Sequence, residues 1–204
     1  MVQGWRVDIG TAMKGKIAGK VRIIGGRWRG RRLPVPDLPG LRPSGDRSRE
    51  TLFNWLQTEI HGASCADLFA GTGALGLEAA SRGAGRVTLV EKDPRAARAL
   101  QHSVELLSSD PGNAEVKVLN TDALRWLESC AERSLDVVFI DPPFGSGLEA
   151  RALELLDRGK CLAEGARVYL ETARQSEAAA LPAGWIIDRE KQLGEVSMRL
   201  LKKI

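Results

Sequence analysis

Two short segments of this sequence carry the residue types that chemistry needs. The first is Asp141-Pro142-Pro143-Phe144, which follows the apolar run Asp136-Val-Val-Phe-Ile140. A carboxylate, a carbonyl whose direction is fixed by a proline ring, and an aromatic ring together suit the gripping of an amine on a planar base. Asp141 and the Pro142 carbonyl would accept the two N–H groups and localise the nitrogen lone pair, while Phe144 stacks on the ring. The second segment is Asp67-Leu-Phe-Ala-Gly71-Thr-Gly73-Ala-Leu-Gly76, with Glu91 standing 20 residues after Gly71. Gly71, Gly73 and Gly76 match G-x-G-x-x-G, whose small residues let backbone approach a ligand at a helix N-terminus, and the later acid binds ribose hydroxyls. Dinucleotide and nucleoside cofactors share that pattern. Asp67 favours S-adenosylmethionine over NAD, because a carboxylate at the strand end can accept from a ligand ammonium group that NAD lacks. Asp122, in Asn120-Thr-Asp122, can offer a second carboxylate to an adenine amine.

These groups need elements to hold them. From residue 64 onward, short apolar runs alternate with helical periodicity, which places strands near 64–69, 86–91, 115–119, 136–140 and 166–171 and helices near 74–82, 94–107, 123–132 and 148–158. Such alternation builds a parallel sheet with right-handed crossovers, and the loops at the carboxyl ends of its strands face the ligand crevice. The segments 185–191 and 196–201 are separated only by Gln192-Leu193-Gly194-Glu195, too short for a helix, so a terminal antiparallel hairpin is expected. Upstream, Leu52, Phe53, Leu56 and Ile60 follow a three-to-four spacing, which predicts a docking helix over 47–60 with Ser44 or Asp46 as N-cap and Arg47 and Arg49 in its first turn.

Charge separates the chain into two parts. Residues 1–60 hold 12 Lys+Arg against 5 Asp+Glu, a net +7; of 30 basic and 26 acidic residues in all, 18 and 21 remain for the rest, a net −3. Residues 14–32, KGKIAGKVRIIGGRWRGRR, hold eight basic side chains and no acidic one. A basic arm on a near-neutral body is the electrostatic footprint of a polyanion-binding extension. Strand-like pieces at 21–24 and 31–35 around Gly25-Gly26 make it a hairpin, with Trp28 available either for stacking on a base or for packing on the hairpin's own apolar face. The division expected is a flexible basic leader over 1–20, an RNA-binding hairpin and docking helix over 21–60, and a cofactor-binding domain over 61–204. Hydrophobic residues at 43% and charged residues at 27% exclude a disordered chain, and no apolar run approaches a membrane span. Cys65, Cys130 and Cys161 are too few and too widely spaced for a disulfide framework or a zinc site, and are expected in the core; His61 and His102 have no partner pattern. No metal and no membrane are expected, and a cytoplasmic location is.

Taken together, DLFAGTGALGLEAASRGA, VEKD, NTDA and FIDPPF resemble a class I S-adenosylmethionine-dependent methyltransferase that modifies amines. With RIIGGRWRGRRLPVP and LRPSGDRSRETLFNWL in front, the chain resembles the RsmD family, the bacterial 16S rRNA guanine-N(2) methyltransferases, over roughly residues 20–203. The upstream pair of motifs is the specific part, since DPPF occurs also in DNA adenine methyltransferases. The resemblance implies an α/β, Rossmann-like fold with a mostly parallel seven-stranded sheet, bound S-adenosylmethionine, and as substrate a guanine of 16S rRNA within an assembling small ribosomal subunit, acted on by a monomer. It puts Asp67, Phe69, Gly71, Gly73, Glu91, Lys92, Asp122 and Ala123 at the cofactor and Asp141, Pro142, Pro143 and Phe144 in the catalytic loop. Arg22, Arg27, Trp28, Arg29, Arg31, Arg32, Arg47 and Arg49 are the residues expected on RNA. Ser44 stands where the family usually has Thr after Arg-Pro, and Met13 begins a more family-like start than Met1.

Overall fold

The computed structural model describes residues 17–38, 45–107, 114–176 and 180–204. The proposed leader up to residue 16 and the candidate cap Ser44 lie outside them.

Strands β3 (Ser64–Asp67), β4 (Arg86–Glu91), β5 (Glu115–Asn120), β6 (Leu135–Ile140), β7 (Leu162–Ala173), β8 (Trp185–Leu193) and β9 (Val196–Lys203) form one sheet in the order β5-β4-β3-β6-β7-β9-β8. β3 to β7 run parallel, and β9 lies antiparallel to both of its neighbours, β7 and β8. Helices α2 (Ala74–Ser81), α3 (Pro94–Leu107), α4 (Ala123–Glu128) and α5 (Leu148–Arg158) make the crossovers. The expected parallel sheet with a terminal antiparallel hairpin is the one observed.

Why the sheet is covered on both faces can be read from its strands. Cys65, Val87, Leu89, Val137, Phe139 and Tyr169 point to the layer of α2 and α3, while Ala66, Val90, Val138, Ile140, Val168 and Leu170 point to α4 and α5. Alternate residues are thus apolar on opposite faces, which leaves a continuous apolar run in each strand. Chain order reverses between β3 and β6: β3 leads outward through β4 to β5, and β6 starts again on the other side of β3. The crevice beyond the carboxyl ends of β3 and β6 is the topological switch point, where open α/β sheets bind ligands.

The N-terminal part is a separate two-stranded antiparallel sheet of β1 (Ile17–Arg22) and β2 (Arg32–Pro36), followed by α1 (Asp46–Trp55). The hairpin is present but longer than expected: β1 takes in residues 17–20, assigned above to the leader, and residues 23–31 form its connection. Helix α1 begins after Gly45, which makes no side-chain cap, and it ends at Trp55. Leu56 and Ile60 keep the apolar spacing through turns, so their periodicity records burial beyond the end of the helix.

Candidate active site

Period-two alternation does more than fill the core. Asp67 pairs in register with Phe139 of β6, and Phe139 with Tyr169 of β7. Two residues further along their strands, on the same face, come Glu91, Asp141 and Glu171. Four neighbouring strands, β4, β3, β6 and β7, therefore each deliver one acid to the switch point. With Phe69, Gly71, Lys92, Asp122, Ala123, Pro142, Pro143 and Phe144 they line a cleft of about 750 Å³. Leu38, Gly45 and Val196 add to its wall, so the N-terminal part and the terminal hairpin both border it.

Asp67 is buried and accepts the Gly76 N–H at 3.0 Å. Burial first, and then the charges of Asp141 and Glu91, push its carboxyl up to about 7 against the hydrogen bonds from Gly76 and Phe69. Glu91 holds the glycine turn, accepting the Gly71 N–H at 2.8 Å on one oxygen and the Asp93 N–H at 2.7 Å on the other. Gly73 does not line the cleft. It sits below as the left-handed residue preceding α2, with φ 76°, where a Cβ would come within 2.4 Å of Leu100. Asp122 caps α4, accepting from Leu124 at 3.0 Å and Arg125 at 3.3 Å, while its other oxygen holds Lys92 Nζ at 3.0 Å. The Lys92 contact and the capping bonds outweigh burial and lower its carboxyl. Phe144 stands at the rim with 54% of its surface exposed, a large apolar ring with nothing stacked on it among the described residues.

Glu171 is the acid that the sequence reading missed. It is buried, it accepts the Tyr169 hydroxyl at 2.5 Å, and burial followed by the charge of Asp141 pushes it up to about 7 against that bond. Its signal was available in the acid that follows the apolar run Val168-Tyr169-Leu170, just as Asp141 follows the apolar run of β6.

The basic arm divides. Arg22, Arg27, Arg29, Arg31, Arg32 and Arg47 are exposed, as an RNA surface requires. Trp28 and Arg49 are corrections: both are buried, at 3% and 1% exposure. Trp28 packs into the core on the α2 side of the sheet, and its backbone N–H donates to Ser81 Oγ at 2.9 Å. Arg49 donates to the Arg22 carbonyl at 2.9 Å and to Asp46, and reaches Glu78 Oε2 at 3.4 Å. Glu78, fully buried in α2, also accepts the N–H groups of Ile24 at 2.8 Å and Gly25 at 2.7 Å and the Arg82 Nε–H at 2.8 Å. The hairpin connection is thereby clamped onto α2. At Gly26, with φ 72°, a Cβ would lie 1.9 Å from the Ser81 carbonyl oxygen, so only glycine fits.

The family model for conserved hypothetical protein 95 matches residues 21–202. Ribosomal RNA small subunit methyltransferase D of Escherichia coli K12 is 46% identical over 186 residues, 91% of each chain. Its namesake in Haemophilus influenzae is 44% identical over 183 residues, covering 89% of this chain and 93% of that one. The solved structure of the Escherichia coli protein yhhF superposes with a TM-score of 0.80 at 43% identity, over 91% of this chain and 98% of that one. A hypothetical protein of Thermus thermophilus gives 0.73 at 32% identity, over 88% and 98%.

Proposed function

We propose, from the premise that this chain belongs to the conserved hypothetical protein 95 family together with the small subunit rRNA methyltransferases D, that it methylates the exocyclic N2 amine of a guanine in 16S rRNA, using S-adenosylmethionine. The observation that carries the reading is the position of Asp141-Pro142-Pro143-Phe144 at the switch point, in one cleft with a glycine turn and the strand-end acids Asp67, Glu91 and Glu171.

The residues present fit that cofactor. The cleft volume is that of a small-molecule site. Among the described residues, the acids Asp67, Asp141, Glu171 and Glu91 outnumber the cations lining it, where Lys92 is already paired with Asp122, so a cationic ligand is favoured. When bound, S-adenosylmethionine supplies a methyl group on a positively charged sulfur. Asp67 would take its ammonium group. Glu91 would take the ribose hydroxyls on lone pairs left over from Gly71 and Asp93, since a carboxylate offers about four acceptor positions. Asp122 and Lys92 would border the adenine.

Asp141 and the Pro142 carbonyl then hold the guanine amine, and Phe144 covers the ring. Asp141 would also take up the proton that the amine gives up when its nitrogen accepts the methyl group. Alignment at near-attack distance is the main contribution of such a site. A guanine held this way is unpaired or flipped out of its helix. The exposed arginines of the hairpin and Arg47 would lie along rRNA phosphates in an assembling small subunit, with the enzyme acting as a monomer in the cytoplasm.

The test is methyl transfer from labelled S-adenosylmethionine to small-subunit particles from a strain lacking this gene. N2-methylguanosine in the digested rRNA is the expected product. Label in another nucleoside, or in DNA alone, overturns the reading.

A further inference from the structure

We propose that Glu171 is a specificity-determining residue, whose carboxylate accepts the N1–H of the target guanine beside the amine that Asp141 grips. The inference rests on the guanine reading above and adds a residue and a recognition rule to it.

The argument begins with what the edge of a base presents. Next to its exocyclic amine, guanine carries a second donor, N1–H. Adenine and cytosine carry an acceptor nitrogen next to theirs. A loop that only grips an amine with a carboxylate and a carbonyl would accept all three bases. Discrimination needs a second acceptor placed beside the first.

Glu171 occupies that place. It lies on β7, adjacent to β6, and the register Phe139↔Tyr169 and Ile140↔Leu170 carries on to bring it level with Asp141. Neighbouring strands stand about 4.8 Å apart, close enough for side chains of the two strands to converge on adjacent donors of one base edge. Both residues line the cleft with Pro142 and Phe144. Tyr169 donates to Oε2 of Glu171, which fixes the carboxyl group on its strand. A buried carboxyl beside another acid, held by one hydroxyl, is costly to keep and gains from a donor delivered by a ligand. The pull of burial and of Asp141 toward the protonated form marks the same need. When ionised, Glu171 also repels the N1 lone pair of adenine and the N3 lone pair of cytosine, so the preference has an attractive and a repulsive component.

The probe is small-subunit rRNA in which the methylated position, once mapped, holds either guanine or 2,6-diaminopurine, reassembled into particles. Diaminopurine keeps the N2 amine and replaces N1–H by a lone pair. Wild-type protein is expected to favour guanine in kcat/KM by about 10- to 100-fold. Glu171→Gln, whose amide can accept from one base and donate to the other, is expected to bring the ratio to within about threefold of unity. Tyr169→Phe, which frees Glu171 to rotate, is expected to lower the ratio to an intermediate value. A general weakening of the fold would reduce both rates together and leave their ratio in place, and thermal melting and cofactor titration check the fold directly. A Glu171→Gln ratio equal to that of the wild type overturns the proposal while the guanine-N2 reading stands. A wild-type product other than N2-methylguanosine overturns both.

Discussion

Helix α2 has a buried charge cluster at each end, and the two are built on opposite rules. Near its C-terminal end Glu78 is fully buried, yet two arginines and two backbone N–H groups converge on it, and Asp46 neutralises what Arg49 and Arg22 have left over. Near its N-terminal end Asp67 is just as buried, and the charges that act on it, Asp141 and Glu91, carry the same sign. In the first cluster each charge has its partner inside the protein, and the cluster joins two pieces of chain. In the second, among the described residues, like charges gather around a buried acid, a setting that favours a cationic ligand. Burial alone therefore does not separate a structural charge from a functional one; the balance of signs around it does.

The comparison can be broken first at the clamp. Glu78→Gln removes the buried negative charge on which Arg49 and Arg82 converge, leaving Arg49 paired with Asp46, and should destabilise the protein by about 3 to 5 kcal/mol, read from urea unfolding. A loss below about 1 kcal/mol would mean that the balanced cluster holds little. The opposite outcome is expected at Asp67. Its carboxyl is raised in the folded state from 3.8 to about 7, so the folded protein binds more protons than the unfolded chain between those values. Stability should then fall as pH rises from 4 to 7, on the order of 2 to 4 kcal/mol from this group. Asp67→Asn should flatten that fall in the ligand-free protein, and an unchanged slope would show that the acid is compensated after all.

Asp141→Ala should lower single-turnover methylation by on the order of 10²-fold or more, as for loss of a well-placed catalytic hydrogen bond, with the melting temperature retained. Phe144→Ala should cost roughly 1 to 3 kcal/mol in productive binding of the base. Near-normal turnover by Asp141→Ala would reduce the loop to a turn that closes a strand. The smallest effects belong to the hairpin surface. Arg29→Ala, Arg32→Ala and Arg47→Ala should each lower the slope of log affinity against log salt by about 1, with stability changed by less than about 0.5 kcal/mol. A slope that does not move would remove those side chains from the RNA surface.

The α/β part of the fold was legible because each of its elements is amphipathic or apolar over its own length. Helices α3 and α5 and strand β4 fall at the expected residues. The catalytic loop and the glycine turn were legible because local motifs place their side chains at the ends of strands. Arg49 was not, because its partner Glu78 lies 29 residues away and only the docking of the hairpin brings them together. In sequence it is one more basic residue in a basic stretch. Trp28 had two open readings, and its burial removes the stacking one: the ring lies in one apolar cluster with Ile23 and Leu33 of the hairpin, continuous with the core on the α2 side of the sheet. Glu171 follows a visible apolar run, Val168-Tyr169-Leu170, but only the pairing of β7 with β6 brings it beside Asp141.

The place of β9 in the sheet sets an order of assembly. Strand β8 is made before β9 but joins the sheet only through it, and β7 has no partner on that side until β9 arrives. During synthesis, β3 to β7 can pair as they emerge, while β8 waits and the far edge of β7 stays open. Met198 of β9 pairs in register with Glu171. The strand that carries this acid is thus held on both sides only after the last strand has been inserted, so the cleft gains its final shape as the closing event of folding.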